Sequence, residues 1–97
     1  MRTEHYYTSR GRQRAVFLCP DETVKFALSV MDGDSAHVEV SHDPEDFVRR
    51  GKGQWELFEG GLGGGLFGVT AMRVHVQRVD GWVKLIVERN KHERTGE

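Results

Sequence analysis

The chain has 97 residues, 37% apolar and 30% charged, with 14 Lys and Arg against 15 Asp and Glu and a net charge of -1. That length holds one domain, whose core is thin enough for subunit contacts to matter to its stability. The near-zero charge excludes a global polycation for nucleic acid, no run of ~18 apolar residues exists to cross a membrane, and the single Cys19 can form neither an internal disulfide nor a cysteine-built zinc site.

Residues 1–13 read as an extended N-terminal arm, polar apart from Tyr6 and Tyr7 and basic through Arg2, Arg10 and Arg12. Met1 to His5 shows no apolar signal-peptide region, which predicts use without secretion. A β domain over 14–89 begins with a strand from Arg14 to Cys19, where a buried structural thiol is expected at Cys19. Pro20 ends it, because proline lacks the amide a ladder needs.

From Thr23 to Val30, the apolar Val24, Phe26, Leu28 and Val30 alternate with other residues, and only a period of two puts them on one face. Ala36, Val38 and Val40 alternate in the same way with His37, Glu39 and Ser41. The turn-forming Asp32-Gly33-Asp34 between the two runs predicts a hairpin. Asp43-Pro44-Glu45-Asp46 then reads as a helix start, with Asp43 as cap, and Gly51 ends one or two helical turns.

Trp55 to Phe58 suits a short strand. Residues 59–68 hold six glycines and read as a flexible loop carrying Leu62, Leu66 and Phe67. Val69 to Val79 puts Met72, Val74 and Val76 on one face and Arg73, His75 and Gln77 on the other. Asp80-Gly81 is the signal for a two-residue type I′ hairpin, and Val83, Leu85 and Val87 line the return strand. Residues 90–97 are a charged tail. The fold class is all-β: one antiparallel β-sandwich or jelly-roll-like barrel with one short helical turn.

Tests for chemistry return little. The glycine run lacks the Lys and Ser or Thr of a phosphate loop, and a strand rather than a helix follows it. His37 and Glu39 share a strand face, with His42-Asp43 beyond, but no third ligand stands at a recognisable spacing, so no metal is expected. Ser41-His42-Asp43 contains triad letters without triad geometry. These readings predict no enzyme, no cofactor and no catalytic residue. Arg49, Arg50 and Lys52 near Trp55 sketch a nucleic-acid groove. Eight acids against one base between Asp21 and Asp46 oppose it, so nucleic acid is disfavoured.

Asp43-Pro44-Glu45-Asp46, Trp55, the glycine loop, Val69-Thr70-Ala71-Met72-Arg73-Val74 and Val83-Lys84-Leu85-Ile86-Val87 follow one another over residues 36–88. In that order they resemble small β-sandwich structural proteins of tailed bacteriophages. The resemblance implies a virion protein made in the host cytoplasm. Its first implication is a capsid decoration (cement) subunit, trimeric and bound to the coat lattice. Its second is a head-to-tail or tail component. A small phage inhibitor of a host protein is the alternative from another class. The expected contact residues are Arg2, Tyr6, Tyr7, Arg10, Arg12, Trp55, Leu62, Leu66, Phe67, Arg73 and Trp82, because large aromatics and arginines concentrate interface energy.

Overall fold

The structure, a computed structural model, describes residues 1–90. The charged tail expected over 90–97 lies outside the described residues except for Asn90, which closes the last strand. The strands are β1 (Arg2–Tyr7), β2 (Gly11–Arg12), β3 (Val16–Phe17), β4 (Thr23–Val30), β5 (Ser35–Ser41), β6 (Glu56–Leu57), β7 (Gly63–Leu66), β8 (Ala71–Arg78) and β9 (Val83–Asn90), with helix α1 (Glu45–Arg49) between β5 and β6.

One sheet has the order β1-β9-β4-β7. The other runs β2-β8-β5-β6, with β3 also on β8, and every pairing is antiparallel. β2 and β3 act as one interrupted strand. Their pairing with β8 slips by one residue between Arg12↔His75 and Val16↔Met72. The result is an eight-strand path in which β5 pairs β6, β4 pairs β7, β3 pairs β8 and β1 pairs β9. A long hairpin, folded over on itself, makes these nested pairs, and the winding is that of a jelly roll. The all-β sandwich expected from the sequence is therefore present.

Period-two alternation builds the core. Val24, Phe26 and Leu28 on β4 and Val83, Leu85 and Val87 on β9 face Val38 and Val40 on β5 and Met72, Val74 and Val76 on β8, all in one cluster. β-branched residues dominate it, as a pleated surface favours. Neither tryptophan belongs to it.

Both expected hairpins are corners between sheets instead. β4 pairs β9 and β7, while β5 pairs β8 and β6. Likewise β8 and β9, joined through Asp80-Gly81, belong to different sheets. A type I′ turn needs positive φ at both central residues, and neither Asp80 nor Gly81 has it. Alternation places a strand's apolar face inward but does not say which strand lies beside it. The two corners are tied together, since the Asp80 N–H donates to Asp34 Oδ1 at 3.0 Å.

The glycine-rich segment is also not simply a loop. Gly63–Leu66 is β7, the edge strand beside β4, with Gly64 opposite Phe26 and Leu66 opposite Val24. The Phe58 ring lies over Gly60 and Gly64, and a Cβ on Gly64 would stand 2.9 Å from its Cζ. That ring meets Phe26 edge-on, 4.9 Å between centroids. The glycines leave the space that Phe58 fills.

Three local expectations change. The arm is extended, but β1 lies on β9 of its own chain and the Gly11–Arg12 strand lies on β8. Cys19 is exposed, because the strand stops at Phe17 and Leu18 takes the inward position at its end. Asp43 does not cap α1. The helix starts after Pro44 with no side-chain cap, and Asp43 Oδ2 instead accepts the Gln54 N–H at 2.6 Å. The short helix itself, the one helix among the described residues, is where Pro44 and Gly51 place it. Glu45–Arg49 and Asp46–Arg50 pairs support it at 2.7 and 3.0 Å.

Candidate functional site

The outer face of the β2-β8-β5-β6 sheet carries a charged grid set by strand register. On β5, His37 and Glu39 are two residues apart and point the same way. On β8, His75 lies directly opposite His37 and Arg73 opposite Glu39. On β2, Arg12 lies opposite His75. The side chains connect accordingly. Arg73 Nε donates to Glu39 Oε1 at 2.7 Å and Arg12 Nε to the same oxygen at 3.2 Å. His37 Nε2 stands 3.9 Å from Glu39 Oε2 and 3.3 Å from His75 Nδ1. The Arg73 guanidinium rests on the Trp55 ring, 4.0 Å from its centroid.

The electrostatics follow from that crowding. Desolvation pushes the Glu39 carboxyl up, but the hydrogen bonds and charges of Arg73 and Arg12 outweigh it and hold it below the ordinary carboxylate value. His75 is held below the ordinary imidazole value, first by desolvation, then by the Arg12 charge and His37.

A second feature lies at the end of the sandwich formed by the β4–β5 and β8–β9 corners. Tyr6 and Trp82 meet edge-on, 5.6 Å between centroids, and stay 57% and 39% exposed. Met31 lies against Gly81, and Met31 and Leu62 line one open depression. Both are about half exposed. The Leu62 carbonyl is held in place by the Leu28 N–H at 2.7 Å. Asp32 and Asp80 stand exposed on the same two corners and put carboxylates beside this apolar end, while the Asp34 carboxylate is turned in to tie the corners together.

The expected contact residues divide between these places and elsewhere. Tyr6, Leu62 and Trp82 share the apolar end, to which the structure adds Met31. Arg12, Trp55 and Arg73 share the grid on the outer face. Phe67 is exposed at the opposite end of β7, where the Gly68 N–H reaches the Pro20 carbonyl, so it does not join Trp82. Leu66 is 6% exposed and belongs to the core, which removes it from any contact surface. Tyr7 points inward and packs on the core, with its hydroxyl pushed up by desolvation. Arg2 pairs with Glu4 at 3.1 Å, while Arg10 and Arg14 are exposed.

The sequence shows His37 with Glu39 and, separately, Arg73 with His75. Only the β5–β8 register makes them neighbours, and each strand's outward face was the one legible signal of the grid. In comparisons with known proteins, no family model, no curated protein and no solved structure matches this chain.

Proposed function

We propose that this protein is a virion structural subunit, a capsid decoration protein that binds the major coat lattice. The observation that carries the reading is the contacting, exposed pair Tyr6 and Trp82, with Met31 and Leu62 exposed in a depression at the same end of a jelly roll whose interior is filled by its own apolar side chains. Exposed aromatics grouped at one end act as anchors for a partner, and a cluster of this kind differs from apolar residues scattered singly. The exposed Asp32 and Asp80 carboxylates suit a partner surface with an apolar patch and basic groups at its rim. Arg10 and Arg14, unlike Arg2 and Arg12, are not engaged by a carboxylate among the described residues and suit an acidic coat patch. Contacts among three copies over the coat lattice fit the reading, since a small subunit gains stability from them.

Quantitative mass spectrometry of purified particles tests it. A copy number comparable to the coat protein is the expected result. A few copies per particle move the protein to the head-to-tail junction or tail, and absence overturns the reading in favour of a protein that acts on a host target. In binding to particles, Trp82→Ala and Tyr6→Ala are expected to weaken attachment at least tenfold, while Phe67→Ala leaves it unchanged.

A further inference from the structure

We propose that His37, Glu39 and His75 form a binding site for a divalent transition-metal cation such as Zn²⁺ or Cu²⁺ on the outer face of the sheet. The inference rests on the grid's geometry and is independent of the assembly role proposed above. Their donor atoms, His37 Nε2, a Glu39 carboxylate oxygen and a His75 ring nitrogen, lie within 4.8 Å of one another. Bonds of about 2.1 Å at tetrahedral angles hold neighbouring donors about 3.4 Å apart. The His37 Nε2 to His75 Nδ1 separation of 3.3 Å fits that value, and the 3.9 Å from His37 Nε2 to Glu39 Oε2 closes with a small side-chain rotation.

Three features make the set more than three nearby polar groups. It is placed by backbone register, His37 directly opposite His75 on the two central strands, so little ordering remains for binding to impose. Glu39 is already oriented as a ligand, because Arg73 and Arg12 both take Oε1, which leaves Oε2 on the side of His37. A ligating carboxylate held by a further donor in this way is the usual arrangement around bound metals. Finally, two ring nitrogens approach to 3.3 Å, close to the spacing of two ligands on one cation, which would replace the proton between them as the rings turn their lone pairs toward it.

The donor chemistry selects the cation. Two imidazoles and one carboxylate suit Zn²⁺, Cu²⁺, Ni²⁺ or Co²⁺, whereas Ca²⁺ and Mg²⁺ want oxygen ligands. Three protein ligands on a face that solvent still reaches, His37 being 28% exposed, leave a coordination position for water. The two guanidinium charges beside Glu39 oppose the cation, so the affinity is expected to be moderate. Bound there, the metal joins β5 to β8 across the middle of the sheet and so stabilises the folded chain.

Calorimetric titration of the untagged full chain with ZnCl₂ tests the proposal. One Zn²⁺ per chain is expected, with binding at least tenfold weaker in His37→Gln and in His75→Gln and unchanged in His42→Gln. Heat that persists undiminished in both variants, or no binding of Zn²⁺, Ni²⁺ or Cu²⁺ to the wild type, overturns it. Equal binding of Mg²⁺ also overturns it. Should either variant fail to fold, the wild type decides. Imidazole nitrogen resonances of His37 and His75 must shift on adding Zn²⁺, and movement confined to other histidines refutes the site.

Discussion

Leu66→Ala compared with Phe67→Ala tests whether the glycine-rich segment is a strand of the core. The two residues are adjacent and both apolar, yet Leu66 is 6% exposed inside the core cluster and Phe67 is 63% exposed. Truncating a buried leucine costs about 2–5 kcal/mol, through lost transfer free energy and the cavity left behind. β7 is an edge strand with glycines on its other positions, so its backbone can move inward, and the lower part of that range applies, about 2–3 kcal/mol. A small domain has only about 5–15 kcal/mol in total, and 1 kcal/mol moves Tm by about 4–8 °C at this size. Leu66→Ala is therefore expected to lower Tm by about 8–24 °C, while Phe67→Ala, on an exposed side chain, stays within about 0.5 kcal/mol. Thermal and urea unfolding followed by circular dichroism reads both, with an unchanged urea slope showing that the denatured state is the same. Equal, small shifts for the two variants would mean that residues 63–66 are a spacer and would refute the strand.

The glycines of the same strand give a second contrast. Gly64→Ala drives a Cβ into the Phe58 ring and is expected to cost about 1–3 kcal/mol, as overpacking does, whereas Gly65→Ala meets only the Val24 carbonyl at 3.9 Å and is expected to be tolerated. Chemical denaturation ranks them, and the opposite order would show that Phe58 does not occupy that space. Glu39→Gln removes the charge that holds Arg73 and Arg12 and should cost about 1–2 kcal/mol at neutral pH. Because the folded Glu39 carboxyl lies below its unfolded value of 4.5, this stabilisation is present above pH 4.5 and is lost as pH falls through the folded value. A wild-type advantage that persists undiminished in more acidic solution would contradict the ion network. Cys19, exposed beyond the end of β3, should react with a thiol reagent in the folded state, without prior unfolding. Protection until unfolding would contradict its placement.

Much of the fold was legible because alternation is a local property. The runs at 23–30, 36–41, 69–79 and 82–88 each announce an apolar face, and the structure turns each of those faces inward. The short helix was legible for a similar reason, since Pro44 and Gly51 act within a few residues. Partner choice was not. The link from β4 to β5 and the Asp80-Gly81 link satisfy a hairpin and an inter-sheet corner equally well by pattern. Apolar faces on consecutive strands can lie side by side on one sheet or opposite each other across the core. Cys19 and Leu66 failed in the same way, because a strand's end and a segment's burial depend on what packs over them.

The amino-acid sequence alone determined the class of this protein: a small, nearly neutral, all-β chain with valine-rich inward faces, because side-chain alternation follows from backbone geometry and needs no partner. Tertiary structure alone decided that the strands wind as a jelly roll, that Phe58 fills the space its glycines leave, and that His75 joins His37 and Glu39. The first and last of these bring together residues dozens of positions apart, which only the register between non-consecutive strands can do, and Phe58 is placed over its glycines by the Phe26 ring that it packs against across the fold.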